Sequence, residues 1–75
     1  MAKIPRGLSG REVVSALEKA GFRFSRQKGS HILLFRADPK ARVTVPDHRE
    51  VRVGTLQQIL SDAGMTVAEF LALLS

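Results

Sequence analysis

Two histidines, His31 and His48, are the residues of this chain best suited to chemistry. The sequence has no cysteine and no tyrosine, and its acidic residues are scattered. Thiol catalysis is therefore excluded, and a paired-carboxylate site is poorly supported. Histidine titrates near neutrality, so it can accept a proton from a hydroxyl group or donate one to a leaving oxygen. The alternative interpretations are an ordinary strand-edge residue for His31 and a solvated loop residue for His48.

The sequence does not indicate a metal or a small-molecule cofactor. A metal site needs three or four ligands, and the two histidines with a loop acid such as Asp47 form only a weak set. The glycines Gly29 and Gly54 are isolated and match no phosphate-binding spacing. We therefore predict a site that uses no metal and no cofactor.

Positive charge is concentrated in the middle of the chain. The formal net charge is +5, from 12 Lys and Arg and 7 Asp and Glu. Between Phe22 and Val53 the bases outnumber the acids, whereas the two signs balance in the rest of the sequence. Solubility alone does not require segregated charge, so this pattern favours a surface that binds a polyanion such as nucleic acid. A charge that serves only solubility is the alternative.

The length of 75 residues predicts a single domain over residues 1–75. The longest apolar run, Phe70 to Leu74, is far shorter than the roughly 18 residues that a membrane span needs. In a secretory signal an apolar stretch follows the first basic residues. No such stretch follows Lys3 and Arg6. We therefore expect a cytoplasmic protein with no membrane partner.

Three Ser/Thr-x-x-Glu/Gln patterns predict helix starts, because such pairs satisfy the first backbone amides reciprocally. They are Ser9 with Glu12, Thr55 with Gln58, and Thr66 with Glu69. Apolar residues follow each pattern at helical spacing, and Gly21 and Gly64 end the first two helices. The first helix is expected over residues 10–20, and the last is short. Its Phe70 and Leu71 pack either in the core or on a partner protein.

Strand patterns occupy the segment between the first two helices. Alternation over residues 22–27 predicts a strand with one buried face. Turn residues at 28–30 and 38–40 separate two further strands at 31–36 and 42–45. Strands this close in sequence should form an antiparallel meander with the second strand in the centre. The predicted class is α+β, in which the main helices cover one face of a three-stranded sheet.

A series of short motifs runs along almost the whole chain. They are Ile4-Pro5-Arg6, Ser9-Gly10-Arg11-Glu12-Val13, Leu17-Glu18-Lys19-Ala20-Gly21-Phe22, Lys28-Gly29-Ser30-His31, Val43-Thr44-Val45-Pro46 with His48, and Gly54-Thr55-Leu56 with Ile59-Leu60 and Ala63-Gly64. In this order they resemble the HicA toxin family, and the likeness extends from about Ile4 to Leu74. The Gly-Ser-His turn and the Gly-Thr-Leu helix start are its most specific parts.

The resemblance implies a fold similar to that of double-stranded-RNA-binding domains. It also implies a toxin that cleaves mRNA and that a HicB-like antitoxin inhibits. His31 matches the family's catalytic histidine, which makes it the expected general acid or base of a metal-independent endoribonuclease. His48 matches a histidine common in the loop after the third strand and is our first candidate for the second proton-transfer group. Where family members often have a polar or aromatic residue after the motif histidine, this chain has Ile32.

Charge and position near the predicted sheet also indicate residues that bind RNA. They are Arg23, Arg26, Lys28, Ser30 and Arg42. Two other functions remain open at this point. One is a non-catalytic module that binds double-stranded RNA through its shape. The other is a small interaction protein whose charge attracts an acidic partner.

Overall fold

The computed structural model describes residues 3–74. Its elements in chain order are α1 (Gly10–Lys19), β1 (Arg23–Lys28), β2 (His31–Ala37), β3 (Lys40–Pro46), α2 (Val53–Ala63) and α3 (Val67–Leu74). The predicted α+β class is confirmed, and the order is consistent with a double-stranded-RNA-binding-domain-like fold. Within residues 3–74, no helix is long and apolar enough to cross a membrane.

The first helix begins at the capping box that the sequence predicts. The hydroxyl of Ser9 accepts a hydrogen bond from the amide of Glu12 at 3.1 Å, and the Glu12 carboxylate accepts one from the Ser9 amide at 2.9 Å. Gly21 has a positive φ of 96°, which lets the chain leave the helix. Phe22 then enters the core, where it is 2% exposed.

The three strands form an antiparallel meander with β2 in the centre, as predicted. Alternate residues of β2 and β3 point toward the helices and are buried, and they are Ile32, Leu34, Val43 and Val45. We call the opposite side of the sheet the outer face. Its cross-strand rows are Arg23–Phe35–Arg42, Arg26–Leu33–Thr44 and Lys28–His31–Pro46. No carboxylate stands in these rows.

A single core lies between the inner side of the sheet and the three helices. Its largest fully buried side chains are Phe22, Phe70, Leu17, Ile32, Leu34 and Leu56. Burying a side chain of this size contributes about 1.5–3 kcal/mol, so a few such residues supply most of the stability of so small a domain. Ile32 belongs to this core. The position after the motif histidine therefore points away from the outer face.

The first strand departs from the predicted pattern. All six residues of β1 are exposed, so the expected buried face was wrong. A bulge between Phe24 and Arg26 shifts the alternation, because Ser25 has no partner on β2. The helices pack chiefly on β3, at the other edge of the sheet. Phe24 therefore stays 56% exposed, although its neighbour across the strands is the buried Leu34.

The start of α2 also differs from the prediction. The helix begins at Val53 after Arg52 as its N-cap, with no side-chain cap, so the predicted capping box at Thr55 was wrong. The amide of Val51 donates to the carbonyl of Leu8 at 2.6 Å, which fixes the chain just before the helix. Tertiary contact therefore sets this helix start two residues before Thr55. The left-handed stop at Gly64 is confirmed by its φ of 70°.

The last helix belongs to the core. Thr66 and Glu69 exchange hydrogen bonds of 2.8 and 3.1 Å, as their spacing predicts. Phe70 is completely buried, and α3 packs against α1. The alternative in which Phe70 binds a partner protein was therefore wrong. Leu71 is only partly buried.

Candidate active site

Both predicted catalytic histidines line one open groove at the edge of the sheet. His31 is the first residue of β2 and lies on the outer face, opposite Pro46 of β3. His48 lies in the loop between β3 and α2, and both imidazoles are exposed. The groove has a volume of about 520 Å³. The structure thus places in one groove two candidate catalytic residues that the sequence identifies separately.

The loop that carries His48 is held by backbone hydrogen bonds on both sides. The amide of Gly10, at the start of α1, donates to the carbonyl of His48 at 2.9 Å. The amide of Asp47 donates to the carbonyl of Ser30 at 2.6 Å. Since Ser30 immediately precedes His31, this second bond fixes the loop beside the β1–β2 turn. The relative position of the two histidines is therefore set by ordered backbone.

The side chain of Asp47 fastens the same loop to α1 and β1. Its carboxylate accepts hydrogen bonds from Nε and Nη2 of Arg11, both at 3.1 Å, and from Nε2 of Gln27 at 3.2 Å. The hydrogen bonds from Arg11, and then that from Gln27, lower the pKa of Asp47, while partial desolvation opposes them. This carboxylate is thus engaged in structure. Within residues 3–74, no group of three His, Asp or Glu side chains could hold a metal ion.

The predicted RNA-binding cations lie on the same outer face as His31, with Lys28 directly across from it and the others one or two rows further along the sheet. Arg23, Arg26 and Lys28 lie on β1, Arg42 lies on β3, and all four are exposed. Within the part of the chain that the structure describes, none of the four has a hydrogen-bond or ion-pair partner. Ser30 is exposed in the turn before His31. These side chains are therefore available for a polyanion.

One base of the central segment has a different role. Arg36 lies on the inner side of the sheet, with its guanidinium 4.6 Å from the centre of the Phe22 ring. It donates hydrogen bonds to the carbonyl of Pro39 at 2.8 Å and to that of Ala63 at 3.1 Å. Arg36 therefore ties the sheet to α2 and does not extend the cationic surface.

The groove also contains residues that were not predicted from the sequence to belong to a functional site. They are Thr44, Glu50, Arg52 and Thr55. Glu50 follows His48 by two residues in the same charged loop, which was the available signal for it. Thr55 was assigned to a helix cap instead. The first turn of α2 has no acidic residue and no side-chain cap, so the positive end of the helix lies at this groove.

The fold and the groove define a small α+β protein with two exposed histidines beside a cationic sheet. The family model of the HicA toxin of bacterial toxin–antitoxin systems matches residues 10–65, and the chain therefore belongs to the HicA toxin family. The match begins with α1, ends just after α2 and includes both histidines. It confirms the family that the motifs resemble. No curated protein sequence matches the chain significantly.

Proposed function

We propose that this chain is the endoribonuclease toxin of its toxin–antitoxin system, cleaving mRNA without a metal ion, with His31 as general acid or base. Membership of a family of generally mRNA-cleaving toxins supports this function. The observation that carries the proposal is the groove that His31 and His48 share, at one end of an outer face that carries four cations without partners.

The proposed chemistry is an internal displacement at phosphorus. One histidine takes the proton of the 2′-hydroxyl, and that oxygen forms a bond to the neighbouring phosphorus. The bond from phosphorus to the 5′-oxygen breaks, and the other histidine gives a proton to this leaving oxygen. A 2′,3′-cyclic phosphate and a 5′-hydroxyl result. A single histidine cannot serve both ends of the reaction at once, so His48 is assigned the transfer that His31 does not perform.

The cations bind the RNA and the phosphate that reacts. Arg26 and Lys28 lie nearest to His31 on the neighbouring strand, since Lys28 is its direct cross-strand partner. Arg23 and Arg42 extend the phosphate track along the outer face, and the hydroxyl of Ser30 contacts the backbone near the cleaved bond. Such contacts hold the strand without reading its sequence.

A HicB-like antitoxin is the proposed inhibitor. An acidic surface that covered His31 and neutralised the adjacent cations would block both proton transfer and RNA binding. The absence of carboxylates from the rows of the outer face makes this surface complementary to such a partner.

The test is cleavage of an end-labelled RNA of mixed sequence in excess chelator. His31→Ala and His48→Ala are compared with the parent, and Gln57→Ala, an exposed residue of α2, is the control. We expect each histidine variant to lose a factor on the order of 10² to 10⁴ in rate, while the control cleaves like the parent.

Cleavage by His31→Ala at the parental rate would contradict the assignment of His31. Equal cleavage by His48→Ala would remove only the second histidine from the mechanism. If the parent binds RNA but does not cut it, the chain is a non-catalytic binding module. If the parent cleaves RNA only after a divalent metal ion is added in excess over the chelator, the metal-independent mechanism is contradicted.

A further inference from the structure

Two large apolar side chains are exposed among residues 3–74, Phe24 at 56% and Phe35 at 36%. Phe24 points to the same side of the sheet as its cross-strand partner Leu34, whereas Phe35 lies on the outer face. Phe35 lines an open concavity of about 740 Å³ along the sheet. Leaving an aromatic ring in water forfeits the stabilisation that its burial would supply, so the exposed ring of Phe35 indicates a surface that contacts a ligand.

Cations surround the ring of Phe35. Arg23 and Arg42 are the direct cross-strand neighbours of Phe35, one on each side. Arg26 lies in the next row and lines the same concavity. The one carboxylate among the lining residues is that of Asp62, on α2, which accepts a hydrogen bond from Gln58 at 2.9 Å. Aromatic faces between arginines match a ligand that combines flat apolar rings with negative charges.

The concavity also continues toward the candidate active site. Phe35, Leu33 and His31 succeed one another along the outer face of β2. Four residues of extended chain place Phe35 roughly 13 Å from His31. A strand lying on Phe35 therefore reaches the groove of the two histidines within a few nucleotides.

We infer that the outer face of the sheet is a stacking platform for single-stranded RNA, on which an unpaired base stacks against Phe35 while the arginines bind the phosphates. This inference rests on the proposed function and names its substrate as single-stranded. In a duplex the faces of the bases are covered by their neighbours, whereas in a single strand they are free to stack on aromatic side chains. The fold alone, which is consistent with that of duplex-binding domains, would suggest the opposite substrate.

The experiment measures binding of a 2′-O-methyl oligonucleotide of about 12 adenines and cytosines. It lacks free 2′-hydroxyls, so the unmodified toxin cannot cleave it through the displacement proposed above. Its duplex with the complementary strand is the comparison. The variants are Phe35→Leu, which keeps an apolar side chain but removes the ring, and Phe35→Trp, which keeps a ring. Phe24→Leu, on the other side of the sheet, is the matched control for the loss of an exposed ring. Arg6→Ala, outside the sheet, controls for the loss of one positive charge.

We expect Phe35→Leu to weaken single-strand binding about tenfold, in line with 1–3 kcal/mol per stacked base. Phe24→Leu and Phe35→Trp should bind like the parent, and Arg6→Ala should change affinity less than Phe35→Leu. The natural sequence has no tryptophan. The single indole of Phe35→Trp therefore reports stacking directly, through quenching of its fluorescence by the single strand but not by the duplex.

Parental affinity of Phe35→Leu for the single strand would overturn the platform. So would duplex binding as tight as single-strand binding, with equal quenching. If Phe35→Leu abolished binding of a HicB-like antitoxin while RNA affinity stayed unchanged, the face would be a protein interface instead. Cleavage by the parent would leave the ribonuclease proposal standing in all three cases. A parent that binds neither oligonucleotide and cuts no RNA removes the proposed function itself.

Discussion

At the scale of single residues, the geometry of the candidate active site depends on residues that have no chemical role in the proposed reaction. Gly10 and Asp47 both hold the loop that carries His48. The amide of Gly10 reaches the His48 carbonyl only because nothing projects from its α-carbon, since a Cβ there would collide with the carbonyl oxygen of Pro46. Asp47 joins its loop to α1, to β1 and to the β1–β2 turn. Its carboxylate accepts hydrogen bonds from Arg11 and Gln27, and its amide donates one to the carbonyl of Ser30.

Replacing Gly10 by alanine should therefore destabilise the protein. The added methyl group meets backbone atoms that cannot move aside, and overpacking of this kind costs about 1–3 kcal/mol. Gly54, in the first turn of α2, is the matched control, because a Cβ there meets nothing within 4 Å. Gly54→Ala should leave stability unchanged or raise it by up to about 1 kcal/mol. Urea unfolding followed by circular dichroism measures both, and equal effects of the two substitutions would contradict the collision.

The lowered pKa of Asp47 predicts a pH-dependent contribution to stability. Its pKa in the folded state lies below the ordinary value of 3.8, mainly because Arg11 donates hydrogen bonds to the carboxylate. The stabilisation is fully present above that ordinary value and is lost as the pH falls through the folded-state pKa. The stability difference between the parent and Asp47→Asn should therefore be largest near neutrality and shrink in acid.

Unfolding midpoints between about pH 2 and pH 7 test this dependence. Asp38→Asn, at the exposed turn between β2 and β3, is the control and should follow the parent across the range. A difference between the parent and Asp47→Asn that stays constant with pH would show that the carboxylate's charge is not involved.

At the scale of elements, α3 completes the core by covering a part of α1. The sequence of α3 alone left open whether Phe70 packs inward or on a partner, because a short apolar helix suits either arrangement. Its complete burial identifies α3 as a structural element. The groove of the candidate active site, by contrast, is lined by no residue of α3.

Phe70→Ala should therefore cost about 3–5 kcal/mol, a large part of the stability of so small a domain. Leu71→Ala, at a partly buried position on the same helix, should cost clearly less. Thermal unfolding followed by circular dichroism compares the two variants. Similar losses would mean that Phe70 does not anchor the helix. Deletion of residues 67–75 should unfold the domain rather than only weaken an antitoxin complex.

At the scale of the whole molecule, the outer face of the sheet carries positive charge without negative charge in its rows. The outer face carries Arg23, Arg26, Lys28 and Arg42 without a carboxylate in its rows, whereas Arg11 and Asp47 neutralise each other beside α1. Folding thus turns a central excess of bases in the sequence into a directed cationic surface. Such a surface attracts RNA through the release of counterions, which makes binding sensitive to salt.

The affinity for single-stranded RNA should fall with rising salt, with a slope of about −3 in a plot of log K against log salt. This value follows from four phosphate contacts at about −0.7 each. Arg42→Ala should reduce the slope by about 0.7, while Arg6→Ala should leave it close to the parental value. Fluorescence anisotropy titrations at several salt concentrations give these slopes, and identical slopes for Arg42→Ala and the parent would exclude Arg42 from the track.

The sequence by itself determined the order and type of the elements, the family and the candidate histidine His31. Capping boxes at Ser9 and Thr66 and the stops at Gly21 and Gly64 are signals that act within about four residues, so they can be read locally. Segregation of charge toward the middle of the chain is likewise a property of the sequence. The roles of His31, His48 and the cations stay predictions that the experiments above test.

Only the tertiary structure decided where α2 begins, that β1 is exposed on both sides, and that His48 shares a groove with His31. It also showed that Arg36 packs on Phe22 instead of facing RNA. These features depend on contacts between residues far apart in the chain, such as the hydrogen bond from Gly10 to His48. No local pattern encodes such contacts, because they arise only when the helices settle against one edge of the sheet and leave the other edge uncovered.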